Sequence, residues 1–204
     1  IIVNWNTRDI LIDCLNSIYK TVTDIDWQIY VVDNNSTDGS QDAVKNGFPD
    51  VKLIANETNT GFAHANNQAL SVMQGRFAVL LNSDAVLQEG AINSLLNFMD
   101  NTPGAGIAGV QLLNEDGSRQ NSIDNFPSLE TEILNKSILR LISPNKYPGK
   151  AGNYNAPIEV DSVIGACMMV RKEAMDAVGL LDEDYFIFLE ETDWCFRMHK
   201  KGWK

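Results

Sequence analysis

Asp84 has the surroundings of a chemical site. It closes the segment Val79-Leu80-Leu81-Asn82-Ser83-Asp84, in which an apolar run ends abruptly in small polar residues. Such a run is typical of a buried parallel strand that brings a carboxylate to the edge of a sheet. We therefore take Asp84 as a candidate metal ligand at the centre of an active site. The structural alternative is a strand-end turn followed by a helix cap.

A second acidic group, Glu190-Glu191, opens the last helical pattern of the chain. Acidic residues in a first turn also stabilise a helix through its dipole, which is the structural alternative to a chemical role. On a helix, Glu190, Asp193 and Arg197 share one face, whereas Glu191 projects about 100 degrees away. The spacing therefore allows an Asp193–Arg197 ion pair and leaves Glu191 on a separate face.

The elements that must position these acids alternate between strand and helix patterns four times along the first half. This alternation predicts an α/β fold with crossover connections and a mostly parallel sheet. Ligands bind beyond the carboxyl ends of the strands in such sheets. We therefore expect the polar residues that follow the first, second and fourth strands to lie along one edge: Trp5, Asn6, Asp33, Asn34 and Asp84.

Two further helical features are predicted. After a cap at Thr7, one apolar helical face comprises Ile10, Leu11, Cys14, Leu15 and Ile18. Residues 117–157 are rich in loops, with one helix over 128–142, and a loop region this long is usually functional or mobile. A solvated insertion is the plain explanation for it. If it has a binding role, its excess of cationic residues suits an anionic acceptor or a membrane surface.

Composition narrows the class of protein. A net charge of -11 argues against a nucleic-acid partner, because a polyanion would be repelled. Cys14, Cys167 and Cys195 lie among apolar residues without metal-ligand spacing, which predicts reduced thiols in a cytoplasmic protein. No stretch resembles a membrane span or a signal peptide. The chain starts without Met inside an apolar strand, so we expect trimming at one or both ends.

Several motifs, taken in order, resemble inverting family 2 glycosyltransferases with the GT-A fold, most closely bacterial rhamnosyltransferases. The resemblance spans nearly the whole chain, and each motif alone is weak. The motifs are Ile2 to Asn6, Val32 to Ser40, Asn59 to Ala63, Leu81 to Asp84, Gly165 to Met168 and Glu190 to Arg197. The resemblance implies one GT-A domain over residues 1–204. Residues 1–110 would form the nucleotide-sugar-binding half, and residues 111–204 the acceptor-binding half with a mobile insertion.

The resemblance also implies roles for individual residues. Asp84 would hold Mg2+ or Mn2+ against the donor diphosphate, and Glu191 would be the base that deprotonates the acceptor hydroxyl. Nucleotide-sugar contacts are implied for Trp5, Asn6, Asp33, Asn34, Asn59, Gly61, Phe62, Asn66, Asn82 and Ser83. Acceptor-side positions are Gly165, Ala166, Glu190 and Trp194. This chain has Asn82 and Ser83 where the fully acidic form of the motif has carboxylates, which puts metal binding without donor in doubt.

The implied reaction is sugar transfer with inversion from a nucleotide-diphosphate sugar to a saccharide or lipid-linked saccharide. We expect it to serve bacterial cell-surface polysaccharide synthesis. The protein would be cytoplasmic, with peripheral association at the inner face of the cytoplasmic membrane left open. One rival is a sugar nucleotidyltransferase, which would want a Gly-rich basic loop that Asn4 to Arg8 does not supply. Another is a non-catalytic nucleotide- or carbohydrate-binding module.

Overall fold

The computed structural model of the chain describes residues 1–128, 136–143, 147–149 and 154–204. In the first half, strands and helices alternate as the sequence predicts. These elements are β1 (Ile2–Asn4), α1 (Arg8–Thr21), β2 (Tyr30–Asp33), α2 (Ser40–Gly47), β3 (Lys52–Ala55), α3 (Phe62–Leu70), β4 (Phe77–Leu81) and α4 (Ala91–Asn101).

The second half has shorter strands and ends in two helices. Its elements are β5 (Ile107–Gly109), β6 (Ile123–Asp124), α5 (Lys136–Ile142), β7 (Ser162–Val163), β8 (Cys167–Arg171), α6 (Lys172–Val178) and α7 (Glu190–Lys200). Part of the helix predicted over 128–142 lies outside the described residues, and the mobility predicted for 117–157 stays a prediction. Among the residues that the structure describes, no helix has the length and apolar composition needed to cross a membrane.

The strands of the first half are parallel, and β8 then enters between β4 and β5. β1 pairs with β2, and β2 with β3, in parallel register. The main-chain nitrogen of Ile1 donates to Val79 O at 2.8 Å, and Leu81 N donates to Ile1 O at 3.0 Å, the pattern of a parallel neighbour. β8 is antiparallel to both β4 and β5. The fold is therefore the predicted α/β class, and the sheet becomes mixed where β8 pairs with β4 and β5.

Helix α1 covers one face of the sheet with the apolar stripe that the spacing predicts, with one exception. Leu11, Cys14, Leu15 and Ile18 are buried, whereas Ile10 is 49% exposed. Ile10 lies at the margin of the stripe, in the first helical turn, so burial of this residue was wrongly predicted. The remaining stripe joins the larger core cluster beneath the sheet.

The difference in burial between two leucines predicts different losses of stability on substitution by alanine. Leu80 in β4 is 1% exposed, whereas Leu141 in α5 is 84% exposed. We expect Leu80→Ala to lower the free energy of unfolding by about 2–5 kcal/mol, because it leaves a cavity in the core. Leu141→Ala should change it by no more than about 0.5 kcal/mol. Urea denaturation of both variants tests this, and equal losses would contradict the assignment of β4 to the core.

Candidate active site

The carboxyl ends of β1, β2 and β4 meet at one edge of the sheet, as predicted. Asn4 lies opposite Asp33 in the β1–β2 register, and its Nδ2 donates to Asp33 Oδ2 at 2.7 Å. The Thr7 hydroxyl donates to Asn4 Oδ1 at 2.6 Å and lies 3.1 Å from Ser83 Oγ. One network of hydrogen bonds thus joins the three strand ends. It also reaches Ser83, the residue before Asp84.

Asp33 and Asn34 are more deeply buried than a nucleotide-contact role predicts. Asp33 is 1% exposed, and besides Asn4 it accepts hydrogen bonds from Ser36 N and Gln41 Nε2, both at 2.8 Å. The Asn34 side chain donates to Gly61 O at 3.1 Å. Both side chains therefore bond within the protein and shape the edge. Their direct contact with a nucleotide stays a prediction.

Trp5 and Asn6 follow β1 and differ in how the protein holds them. Trp5 is 56% exposed, so its indole face is open to a stacking partner. Asn6 has a positive φ of 55 degrees, and its Oδ1 accepts from Thr37 N at 2.8 Å. Asn6 thus ties the loop after β1 to the loop after β2, whereas the Trp5 indole stays exposed at the edge.

The turn before α3 is fixed by its own side chains and by a distant loop. Asn59 Oδ1 accepts from Gly61 N at 3.0 Å, and Asn66 Nδ2 donates to Phe62 O at 2.9 Å. Gly61 has φ of +83 degrees, and a Cβ at this position would lie 2.6 Å from Phe186 O. Only glycine fits at position 61, because the positive φ disfavours other residues and a side chain would clash with the loop before α7.

Asp84 is exposed at the end of β4, where its carboxylate oxygens suit a hard cation. Within the described residues, no group of three or more His, Cys, Asp or Glu side chains is placed to hold a metal ion. Asp84 would therefore share a cation with oxygens from outside the protein, such as phosphate or water. The metal role of Asp84 stays a prediction, and one exposed carboxylate fits it only together with oxygens of a phosphorylated ligand.

Gly165 and Ala166 connect the turn at Asp84 with the acid pair. Asn82 N donates to Ala166 O at 2.9 Å, which ties this segment to the end of β4. A Cβ built on Gly165 would lie 3.8 Å from Cβ of Glu191. The structure thus brings the end of β4, two residues before Asp84, and Glu191 to opposite ends of one short bridge, although they are far apart in sequence.

Glu190 and Glu191 are poorly compensated acids. Glu190 is 4% exposed, and within the described residues Oε2 of each acid is buried without a hydrogen-bond partner. Burial raises the pKa of Glu190 to about 7, with a further contribution from Glu191. Burial also raises the pKa of Glu191, and the charge of Asp124 adds to this shift. Both carboxyls consequently hold a proton more tightly than an exposed Glu does.

Two further predictions for α7 have different outcomes. The Asp193–Arg197 ion pair is confirmed, with Nε to Oδ2 at 2.7 Å. Trp194 was predicted on the acceptor side, but its side chain is fully buried and Nε1 donates to Gly179 O at 2.8 Å. Its large apolar surface fills the second core cluster instead. Trp194 therefore cannot stack on a sugar in this arrangement.

Sequence reasoning missed the connecting roles of two side chains. Thr7 was predicted to cap α1, but its hydroxyl bonds to Asn4 and Ser83, and Asp38 accepts the helix N–H of Arg8 at 2.8 Å. Asn67 lies in α3, and its side-chain amide forms hydrogen bonds with the main chain of Leu181, which is distant in sequence. A small polar residue at a helix start or inside a helix signals a hydrogen bond, but the spacing does not show its partner.

Solved structures with this arrangement are GT-A glycosyltransferases. The chain is similar to mannosyltransferase PcManGT from Pyrobaculum calidifontis, solved with GDP-Man and Mn2+, at TM-score 0.68 and 18% identity, covering 100% of this chain and 52% of that one. It is also similar to S. aureus TarS 1-349 in complex with UDP-GlcNAc, at TM-score 0.61 and 17% identity, covering 97% and 51%. The fold is therefore GT-A.

Residues 1–179 match the family described as Glycosyl transferase family 2, and the chain belongs to that family. It is 29% identical over 192 residues to N-acetylglucosaminyl-diphospho-decaprenol L-rhamnosyltransferase of Mycobacterium tuberculosis (strain CDC 1551 / Oshkosh), covering 86% of this chain and 62% of that protein. It is 28% identical to dTDP-rhamnosyl transferase RfbF of Shigella flexneri, covering 99% and 63%. The chain thus spans less than two thirds of these relatives.

The buried acid pair predicts an unusual pH dependence of stability. The folded pKa of Glu190, about 7, exceeds the 4.5 of an unperturbed Glu. Its stabilising contribution is complete below pH 4.5 and is lost as pH rises through 7. We expect Glu190→Gln to unfold like wild type near pH 4.5 and to be more stable at pH 8, by roughly 3 kcal/mol for the full shift.

Urea denaturation of both proteins across this pH range measures the difference, and parallel curves would contradict the burial of the Glu190 carboxyl. Glu183→Gln is the control of opposite sign. Hydrogen bonds from Asn67 and His64 lower the pKa of Glu183, so its contribution is lost on acidification. That variant should be less stable than wild type at neutral pH, and the difference should shrink at low pH.

Proposed function

We propose that this domain transfers a sugar from a nucleoside-diphosphate sugar to an acceptor hydroxyl with inversion, in bacterial cell-envelope polysaccharide synthesis. The main observation in support of this proposal is the Gly165-Ala166 segment. Ala166 O accepts a hydrogen bond from Asn82 N at the start of the Asp84 turn, and Gly165 lies next to Glu191. The names of similar proteins support the donor and acceptor classes: dTDP-rhamnosyl transferase, and a transferase to N-acetylglucosaminyl-diphospho-decaprenol. We infer a saccharide or lipid-linked saccharide as acceptor.

Glu191 is the proposed general base. Its raised pKa favours uptake of the proton from the acceptor hydroxyl, and one of its oxygens has no competing partner among the described residues. The resulting oxygen nucleophile attacks the anomeric carbon as the bond to the diphosphate breaks. A single displacement in line inverts the configuration at that carbon.

The remaining edge residues bind and orient the donor. The exposed indole of Trp5 supports a stacking role on the base, and the network from Asn4 to Ser83 holds the strand ends together. Asp84 would hold Mg2+ or Mn2+ together with the donor. Such a cation, when bound, neutralises charge on the leaving diphosphate. Holding two substrates in a reactive arrangement supplies much of the remaining rate enhancement.

Metal-dependent donor binding tests the role of Asp84. We expect one of dTDP-rhamnose, UDP-GlcNAc and GDP-mannose to raise the melting temperature only when Mn2+ is present, because the cation would link the donor diphosphate to Asp84. Asp84→Ala should lose this shift, whereas Asp176→Ala, which removes an exposed carboxylate of α6, should keep it. Calorimetric titration showing unchanged donor binding by Asp84→Ala in Mn2+ would refute the metal role.

The Glu191→Gln variant tests the base. We expect kcat to fall by about 10^2- to 10^4-fold, the usual contribution of general base catalysis, with the donor Kd nearly unchanged. Release of nucleoside diphosphate measures kcat, and calorimetry measures the donor Kd. Equal losses of turnover and donor binding would exclude Glu191 as the base. Donor binding by wild type without any turnover would favour a non-catalytic binding module.

A further inference from the structure

Helix α3 holds the segment that leads to the acid pair. Asn67 Nδ2 donates to Leu181 O at 2.8 Å, and Asn67 Oδ1 accepts from Leu181 N at 3.1 Å. The same amide nitrogen donates to Glu183 Oε1 at 2.9 Å, and His64 Nδ1 lies 2.7 Å from Glu183 Oε2. Because Asn67 and Leu181 are buried, this two-point bond is shielded from water.

The first turn of α3 makes a second contact with the segment that leads to the acid pair. Phe62 N donates to Phe186 O at 2.7 Å, and Gly61 lies directly against that carbonyl. The turn before α3 is the proposed donor-binding turn. It therefore shares a hydrogen bond with the loop before α7, only a few residues from Glu191.

Beyond Phe186, little packing fixes the chain. The side chains of Phe186, Ile187, Phe188 and Leu189 are all exposed. Phe188 and Leu189 also have positive φ values of 70 and 71 degrees, a left-handed conformation that is unfavourable for such side chains. A strained and exposed segment needs a fixed anchor at its start. The bonds from α3 to Leu181, Glu183 and Phe186 provide one.

We propose that Asn67 is a positioning residue for Glu191. It acts through the Leu181–Leu189 segment and sets where α7 presents the carboxylate relative to the donor turn. This inference rests on the proposed function, because it takes Glu191 to be the base. Asn67 itself faces the Leu181 main chain, so its loss should spare donor affinity and impair turnover.

Asn67→Ala and the milder Asn67→Ser test this, with Val44→Ala as a control. Val44 is a buried residue of α2, so its truncation also costs core stability, but it has no bond to the Leu181–Leu189 segment. We expect kcat for nucleoside-diphosphate release to fall about 10- to 100-fold in the Asn67 variants, since small misplacements can cost that much. The donor KM should stay close to wild type, and Val44→Ala should keep both values.

Hydrogen exchange at the Phe62 amide reports the anchor directly, because that N–H donates to Phe186 O. Faster exchange in the Asn67 variants together with lower kcat supports the proposal. Faster exchange with unchanged kcat, unchanged exchange, or equal losses of kcat and donor affinity would each overturn it. A wild-type protein without turnover on any donor would overturn the proposed function, and this inference with it.

Discussion

The hydrogen bond between the Asn4 amide and the Asp33 carboxylate is the interaction on which the edge of the sheet depends. A carboxylate that is almost fully buried is costly unless donors compensate it. Asn4, Ser36 N and Gln41 supply three such bonds. Through Thr7, the same Asn4 amide also reaches Ser83 at the end of β4. The loops that follow three strands are thereby held to one another before any ligand binds.

The acid pair of α7 has the opposite electrostatic character. Glu190 and Glu191 are also withdrawn from water, but an oxygen of each lacks a partner within the described residues. Burial that backbone hydrogen bonds offset only in part raises the pKa of both carboxyls, and it lowers stability as pH rises above the ordinary range of Glu. The contrast with Asp33 separates structural acids from acids suited to proton transfer. It supports the proposed role of Glu191 as a base, whereas the bonds of Asp33 hold the loop after β2.

Local patterns were enough to predict the elements of the first half and the meeting of the strand ends. Apolar periodicity reports which face a helix buries, and the parallel crossover rule brings the ends of β1, β2 and β4 together. Long-range partners were not accessible in the same way. Trp194 was predicted on the acceptor side, whereas its side chain is buried and bonds to Gly179 O, because one aromatic residue in a helix has no signature of which neighbour it packs against.

The same limit applies to hydrogen bonds. The antiparallel insertion of β8, the Asn67–Leu181 contact and the engagement of Asn34 with Gly61 all join residues far apart in sequence. Residue type predicts that a buried Asn must bond, whereas the fold alone selects its partner. The assignments of Asp84 and Glu191 came from resemblance to a family. The structure adds the Gly165-Ala166 bridge between them.

We infer that Asp84 and Glu191 act on one donor molecule. A crystal structure with Mn2+ and the nucleotide sugar that binds in its presence tests this most directly, because anomalous scattering locates the metal. We expect Mn2+ between Asp84 and the diphosphate, with the anomeric carbon facing the carboxylate of Glu191. A donor whose diphosphate lies away from Asp84, or whose anomeric carbon faces away from Glu191, would contradict it.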